Sequence, residues 1–77
     1  LEYGQGVLEI HTDAIQEGER VLVVDDLIAT GGTAAATARM VHQLGGEVVS
    51  FAFIVELEFL KGREKLDGFE VFSILQY

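Results

Sequence analysis

The 77-residue sequence contains no cysteine and no proline, and only five of its residues are lysine or arginine. Without cysteine, the chain has no disulfide framework, no cysteine-ligated zinc site and no thiol nucleophile. The 13 aspartates and glutamates outweigh the five basic residues and leave a net charge of −8. A chain with this charge repels nucleic-acid phosphates and anionic lipid. We therefore expect no nucleic-acid partner, and any phosphate must be bound locally.

Long apolar runs are also missing. The longest run, at residues 48–55, is interrupted by Ser50 and is far shorter than the roughly 18 to 20 residues that cross a bilayer. The first six residues have neither the basic nor the apolar segment of a secretory signal. We therefore expect no membrane partner and a soluble, cytoplasmic protein. Hydrophobic residues still make up 49% of the sequence, which is enough to form a folded core.

The hydrophobic pattern predicts an α/β fold with a parallel-sheet βαβ core. The apolar runs at 21–24 and 48–55 are each typical of a strand that is buried on both faces. Between them, residues 33–44 have helical spacing, and the glycine pair that follows is a helix stop. No repeat or linker divides the chain, so we expect residues 1–77 to form one unit. Weaker signals predict an edge strand at 7–12, a helical turn at 61–67 and a last strand at 69–75.

The predicted sheet has too few helices to cover it. A parallel sheet needs helices on both faces, and the sequence offers one full helix and one short, charged turn. At roughly 25 cal/mol per Å², an apolar face left in water forfeits several kcal/mol, comparable with the ~5 to 15 kcal/mol stability of a domain. We therefore expect one bare sheet face, whose cover comes from a missing portion of a longer protein or from a partner.

The segment Thr30-Gly31-Gly32-Thr33, between the first strand and the helix, is typical of a phosphate-binding loop. Its two glycines let successive backbone N–H groups converge on one anion, and the helix dipole and two hydroxyls add to the attraction. Each hydrogen bond to a charged oxygen contributes about 1.5 to 3 kcal/mol, so four or five can hold a monophosphate. The sequence therefore predicts a phosphate site that needs no basic side chain.

Asp25 and Asp26 follow the first apolar run, at the end of a strand where open α/β sheets bind ligands. Carboxylates repel a phosphate directly, and they instead accept hydrogen bonds or meet a cation. The vicinal diol of a ribose would satisfy them, with Mg²⁺ offsetting any further phosphate charge. The sequence has no Walker A lysine motif and no dinucleotide-binding glycine motif. These observations predict a ribose 5-phosphate ligand.

These residues resemble the signature of the type I phosphoribosyltransferase family, in which two acidic residues after a hydrophobic strand precede a glycine-rich loop. The adenine-specific members are similar over nearly the whole chain, in particular at Leu1-Glu2-Tyr3-Gly4, Asp25 to Thr33, Leu60 to Leu66 and Phe72 to Tyr77. The resemblance implies the C-terminal part of a type I phosphoribosyltransferase fold, incomplete in this chain. It also implies a homodimer that forms AMP and pyrophosphate from adenine and 5-phosphoribosyl 1-pyrophosphate, with Mg²⁺ carried by the substrate.

The resemblance also implies roles for single residues. Family members that act on 6-oxopurines carry an aspartate acid/base at the position of Ala29, and alanine cannot move a proton. The adenine enzymes use a glutamate on a mobile loop, and Glu2 matches it, so Glu2 is the catalytic candidate at purine N7. Tyr3, the neighbour of Glu2 in the sequence, is expected to belong to the same mobile loop, which acts as a lid over the site. Substrate binding is then expected of Tyr3, Asp25, Asp26, Ala29, Thr30, Gly31, Gly32 and Thr33.

A second function stays open beside purine salvage. A regulatory module of the same fold would bind a ribose phosphate in the same loop without catalysis, although it would have no need of Glu2. The residues that contact adenine and grip pyrophosphate are expected outside this stretch. The 77 residues alone are therefore expected to bind a ribose phosphate weakly and without turnover.

The remaining polar residues carry plainer expectations. Glu56 and Glu58, near the end of the second strand, are expected to be solvated. Lys61, Arg63 and Lys65 are expected to form a solvated turn rather than a grip on pyrophosphate. The two histidines are expected at the surface, and the phenylalanines in the core.

Overall fold

A computed structural model describes residues 15–77, so the predicted edge strand at 7–12 and the candidates Glu2 and Tyr3 lie outside the described residues. The described part forms the elements β1 (Arg20–Ile28), α1 (Gly32–Gln43), β2 (Glu47–Glu56), two 3₁₀ helices (Glu58–Leu60 and Gly62–Leu66) and β3 (Glu70–Gln76). The succession of strand, helix and strand confirms the predicted α/β pattern, and the helical turn and last strand lie where the sequence predicts them.

The three strands form one parallel sheet in the order β1-β2-β3. In this register, Phe51 in the middle of β2 pairs with Val23 on β1 and with Val71 on β3. Because the strands run in the same direction, their C-terminal ends lie at one edge of the sheet, where open α/β sheets bind ligands. Ile28 and Glu56 end β1 and β2 at this edge.

The helix α1 ends at the glycine pair that the sequence marks as its stop. Gly45 has a φ of +89° and donates its N–H to the carbonyl of His42 at 3.0 Å, while Gly46 donates to Val41 at 2.9 Å. This pair of hydrogen bonds is the Schellman motif, in which a left-handed glycine satisfies the last carbonyls of a helix. At 12 residues α1 is too short to span a membrane, and no other helix within residues 15–77 could do so.

The hydrophobic core lies between α1 and one face of the sheet. Its buried members come from β1, α1, β2 and the second 3₁₀ helix: Ile28, Ala34, Phe51, Phe53 and Leu66. The rings of Phe51 and Phe53 are parallel, with centroids 6.2 Å apart, and form the floor on which the helix packs. One helix therefore covers one face of the sheet.

The opposite sheet face is open in the part of the chain that the structure describes. It exposes large apolar side chains on all three strands: Leu22, Val24, Ile54, Phe72 and Ile74. This confirms the bare face that the sequence predicts. The expectation that the phenylalanines lie in the core is wrong for Phe59, Phe69 and Phe72, which are 72%, 39% and 56% exposed. Alternation along β3 places Phe72 on the uncovered face.

The first strand is longer than its apolar run predicts. It continues through Asp25 and Asp26 to Ile28, so that only residues 29–31 connect β1 to α1. Ile28 pairs opposite Glu56 of β2 and is only 2% exposed. Burial of Ile28 beneath the helix explains why the strand does not stop at the acidic pair.

Candidate functional site

The turn between β1 and α1 presents backbone donors at the C-terminal edge of the sheet. Gly31 precedes the helix with a φ of +86°, a left-handed conformation that favours glycine. Gly32 is the first helical residue, and its N–H donates to Thr30 Oγ1 at 3.4 Å. Gly31 supplies no capping side chain, and the first turn contains no acidic residue. Because the first N–H groups of a helix have no acceptor within it, this turn is suited to an anion.

A cavity of about 230 Å³ opens beside this turn. The structure brings six of the predicted binding residues into its lining: Asp25, Ala29, Thr30, Gly31, Gly32 and Thr33. Apolar side chains, among them Ile28 and Phe53, complete the wall. Their part in binding stays a prediction, but the arrangement places a carboxylate and a set of backbone donors around one space.

The two adjacent aspartates have different environments. Asp25 is half-buried and lines the cavity, whereas Asp26 is exposed and lies outside the lining, because successive side chains of a strand alternate between its faces. Burial raises the pKa of the Asp25 carboxyl, and the Asp26 carboxyl adds to the rise by a hydrogen bond and by its charge. The Asp26 N–H donates to Asp25 Oδ1 at 2.8 Å, and this hydrogen bond lowers the Asp25 pKa, against the other contributions. The pair therefore offers one carboxylate in the cavity and a second outside its lining.

The glycine turn rests on a second backbone segment, at Gly62. A Cβ placed on Gly31 would collide with the carbonyl oxygen of Gly62. In the other direction, a Cβ on Gly62 would lie 2.9 Å from Ile28 Cγ1 and 3.1 Å from the Gly31 nitrogen. The two segments thus touch main chain to main chain. Sequence reasoning did not connect Gly62 with the site, because no local pattern reveals a contact between residues so far apart.

Glu56 was expected to be solvated, and the structure shows instead that it is 4% exposed. Arg63 Nε donates to both of its carboxylate oxygens at 3.0 and 2.8 Å, and Ser73 Oγ donates to Oε1 at 2.6 Å. These bonds, led by that from Arg63, hold the pKa of Glu56 below its ordinary value although burial opposes the shift. Arg63 also donates to the carbonyl of Val71 at 2.9 Å. Arg63 is exposed, as expected of a solvated turn, but it also joins the second 3₁₀ helix to β2 and β3.

Lys65 is exposed, as expected, but it lies beside the site rather than apart from it. Its Nζ is 4.0 Å from the position that a Cβ on Gly32 would occupy. Within residues 15–77 the one salt bridge joins Glu56 to Arg63, so no described carboxylate pairs with Lys65. The described residues also contain no group of three or more histidines or acids arranged to hold a metal ion.

Comparisons with known proteins agree with this geometry. The phosphoribosyl transferase domain matches residues 3–75. The adenine phosphoribosyltransferase of Koribacter versatilis (strain Ellin345) is 61% identical over all 77 residues, which correspond to 42% of that protein. Among solved structures, adenine phosphoribosyltransferase from Thermoanaerobacter pseudethanolicus ATCC 33223 has a TM-score of 0.90 at 53% identity. That match covers 100% of this chain and 46% of the other.

A more distant structure shows bound ligands. Adenine phosphoribosyl transferase from Trypanosoma brucei, in complex with AMP, pyrophosphate and ribose-5-phosphate, has a TM-score of 0.76 at 29% identity. The match covers 83% of this chain and 31% of that protein. The chain thus spans less than half the length of each of these relatives. Its expected place in their C-terminal part stays a prediction, because the matched share gives a length and not a position.

Proposed function

Because the chain belongs to the phosphoribosyltransferase family, we propose that it is part of a purine salvage transferase. The reaction forms AMP and pyrophosphate from adenine and 5-phosphoribosyl 1-pyrophosphate. The observation that carries this proposal is the cavity that joins Asp25 to the glycine turn at the start of α1. Relatives similar over all of this chain are adenine phosphoribosyltransferases. The activity is proposed for the whole protein, since the chain spans less than half of theirs.

The 5-phosphate of the substrate binds at the N-terminus of α1 in this proposal. The N–H groups of the first helical turn, beginning with Gly32, donate to its oxygens, and the hydroxyls of Thr30 and Thr33 add further donors. Each hydrogen bond to a charged oxygen contributes about 1.5 to 3 kcal/mol. These donors hold the substrate by the end opposite to the reacting C1 carbon.

The ribose lies across the cavity toward Asp25. An ionised Asp25 accepts hydrogen bonds from the ribose hydroxyls, and Asp26 provides a second carboxylate beside it. The oxygens of this pair are also suited to the Mg²⁺ that the substrate carries, whose charge offsets that of the pyrophosphate. With the phosphate and the sugar both held, C1 is kept in line with adenine N9 and the leaving pyrophosphate.

Proton transfer is assigned to Glu2 on the strength of the family resemblance. The bond from C1 to pyrophosphate breaks through an oxocarbenium-like sugar, and the bond from C1 to N9 forms. As the bond to N9 forms, Glu2 accepts the proton that N7 of the base releases, and it returns this proton in the reverse reaction, an effect worth typically 10² to 10⁴ in rate. Tyr3, the neighbour of Glu2, belongs to a lid that excludes water. Ala29 lines the cavity and has no proton to give.

The alternative is a regulator that binds a ribose phosphate without catalysis. It is less well supported, because the relatives similar over the whole chain are transferases by name. A homodimer and a cytoplasmic location complete the proposal and rest on the family resemblance alone.

The experiment uses the intact protein that contains this chain. AMP formation from adenine and 5-phosphoribosyl 1-pyrophosphate is measured with Mg²⁺ and repeated with Glu2→Gln. We expect activity in the wild type and a loss of 10² to 10⁴ in kcat for the variant, because glutamine cannot exchange the proton. A wild type that binds ribose 5-phosphate but forms no AMP would support the regulator instead. An unchanged kcat in Glu2→Gln would remove that residue from the mechanism.

A further inference from the structure

The second 3₁₀ helix, Gly62–Leu66, lies beside the glycine turn at the start of α1, next to the cavity rather than in its lining. Lys65 on this helix brings its ammonium group to 4.0 Å from the Cβ position of Gly32, the first residue of α1. The same side chain lines a groove along α1 together with Ala35 and Ala38. The lysine stem therefore lies against the helix, and its charge lies at the helix start.

The position of this charge is unfavourable unless an anion is present. The N-terminal end of a helix carries a partial positive charge, which repels a cation and attracts an anion. No described carboxylate pairs with Lys65, although the chain has 13 acidic residues and a net charge of −8. An ammonium group and the exposed N–H groups of a helix start attract the same kind of ligand. That ligand is a phosphate-sized anion placed between them.

Two anchors hold Lys65 in this place. On one side, Gly62 packs main chain to main chain against the glycine turn, and Arg63 next to it is bonded to the buried Glu56. On the other side, Leu66 is 1% exposed within the core. Residues on both sides of Lys65 are therefore fixed, so that the 3₁₀ helix holds the Lys65 backbone within reach of the helix start.

We propose that Lys65 donates a charge-assisted hydrogen bond to the 5-phosphate of the substrate. The inference rests on the proposed function and deepens it, because it adds a cation to a site that the sequence predicts to work without one. The contact is made equally in substrate and product, since the 5-phosphate does not react. Lys65 is therefore a binding residue, and it acts on affinity rather than on the chemical step.

The test compares Lys65→Gln with Lys61→Gln in the intact protein. Both substitutions remove one positive charge from exposed lysines four residues apart, and only Lys65 lies beside Gly32. Calorimetric titration measures the Kd of ribose 5-phosphate, AMP and adenosine at two salt concentrations. We expect Lys65→Gln to raise the Kd of ribose 5-phosphate and of AMP by about tenfold and to make both Kd values less dependent on salt. The Kd of adenosine should not change. Lys65→Arg should restore most of the affinity, and Lys61→Gln should match the wild type.

The outcomes separate this inference from the proposed function. Equal phosphate affinity in Lys65→Gln and the wild type overturns the inference, whether or not the protein forms AMP. Equal losses of affinity for AMP and for adenosine in Lys65→Gln overturn it as well, because they show a structural change rather than a lost phosphate contact. If the wild type binds ribose 5-phosphate in a Lys65-dependent way but forms no AMP, the inference stands and the transferase proposal fails. If the wild type binds no phosphate ligand, both fail.

Discussion

Gly31 is required for two separate reasons, which a comparison with Gly18 distinguishes. Its φ of +86° is costly for any residue with a Cβ, and a Cβ there would also collide with Gly62. Gly18 has a similar φ of +77°, but nothing lies within 4 Å of its Cβ position. The backbone cost is thus common to both glycines, whereas the collision belongs to Gly31 alone.

The first prediction follows from this comparison. Gly18→Ala should lower the free energy of unfolding by about 1 kcal/mol, the cost of the left-handed conformation. Gly31→Ala should lower it by about 3 kcal/mol and also weaken ribose 5-phosphate binding, because the turn must move away from Gly62. Urea denaturation and calorimetry of the intact protein measure the two effects. Equal losses of stability in the two variants would show that the contact with Gly62 is unimportant.

Residue-level prediction worked where the signal is local. The glycines at 31 and 32 reveal the helix start because the turn itself needs them, and the helix begins at Gly32, one residue before the predicted start at 33. The need for glycine at position 62 could not be found in this way, because it arises from a contact with a turn about thirty residues earlier in the chain. The role of Lys65 was missed for the same reason, since exposure alone does not show which surface a side chain faces.

At the level of elements, the Glu56 cluster connects three of them. Arg63 from the second 3₁₀ helix and Ser73 from β3 both donate to the carboxylate at the end of β2. The cluster thereby fixes the 3₁₀ helix against the same sheet edge at which the cavity opens. Periodicity predicted these elements well, because each follows from its own apolar spacing. It could not predict the cluster, because whether a strand-end glutamate is solvated depends on which segment packs over it.

The second prediction concerns acid stability. The pKa of Glu56 is lowered in the folded protein, so the ion pair contributes stability above the ordinary glutamate value of 4.5. This contribution is lost as the pH falls through the lowered pKa of the folded state. Glu56→Gln should lower the free energy of unfolding by about 1 to 3 kcal/mol at pH 7, since Arg63 is half-exposed and partly screened. The difference from the wild type should shrink as the pH falls below about 4.5.

Glu70→Gln is the matched control for this experiment. Glu70 is an exposed glutamate at the start of β3, so its replacement should change stability at neutral pH by less than about 0.5 kcal/mol. Denaturant titrations between pH 3 and pH 7 measure both variants. A Glu56→Gln variant whose deficit stays constant across this range would contradict the assigned ion pair.

At the scale of the whole molecule, the main feature of residues 15–77 is the apolar sheet face that they leave exposed. Its five large apolar side chains, contributed by three adjacent strands, form one continuous surface. Surfaces of this kind on folded proteins are normally covered. The fold class could be predicted because the strand–helix–strand order follows from local hydrophobic patterns. The bare face could be predicted because a parallel sheet needs helices on both faces and the sequence offers one full helix.

The third prediction tests this surface in the 77-residue chain alone. The chain should bind the dye ANS and self-associate, because its open face offers an apolar surface to both. Phe72→Gln should reduce dye fluorescence clearly, whereas Phe59→Gln should not, since Phe59 is exposed in the first 3₁₀ helix rather than on the sheet. A monomeric chain without dye binding, or equal effects of the two substitutions, would contradict the importance of this face.

The close packing of Gly31 on Gly62 also bears on protein engineering. A designer who transplants only residues 29–33 into another scaffold would transfer the amide donors without the support that shapes them. The transplanted peptide would then relax, and its amides would no longer converge on one point. A working graft must therefore carry both pieces of chain, together with enough of the surrounding core to keep them in register.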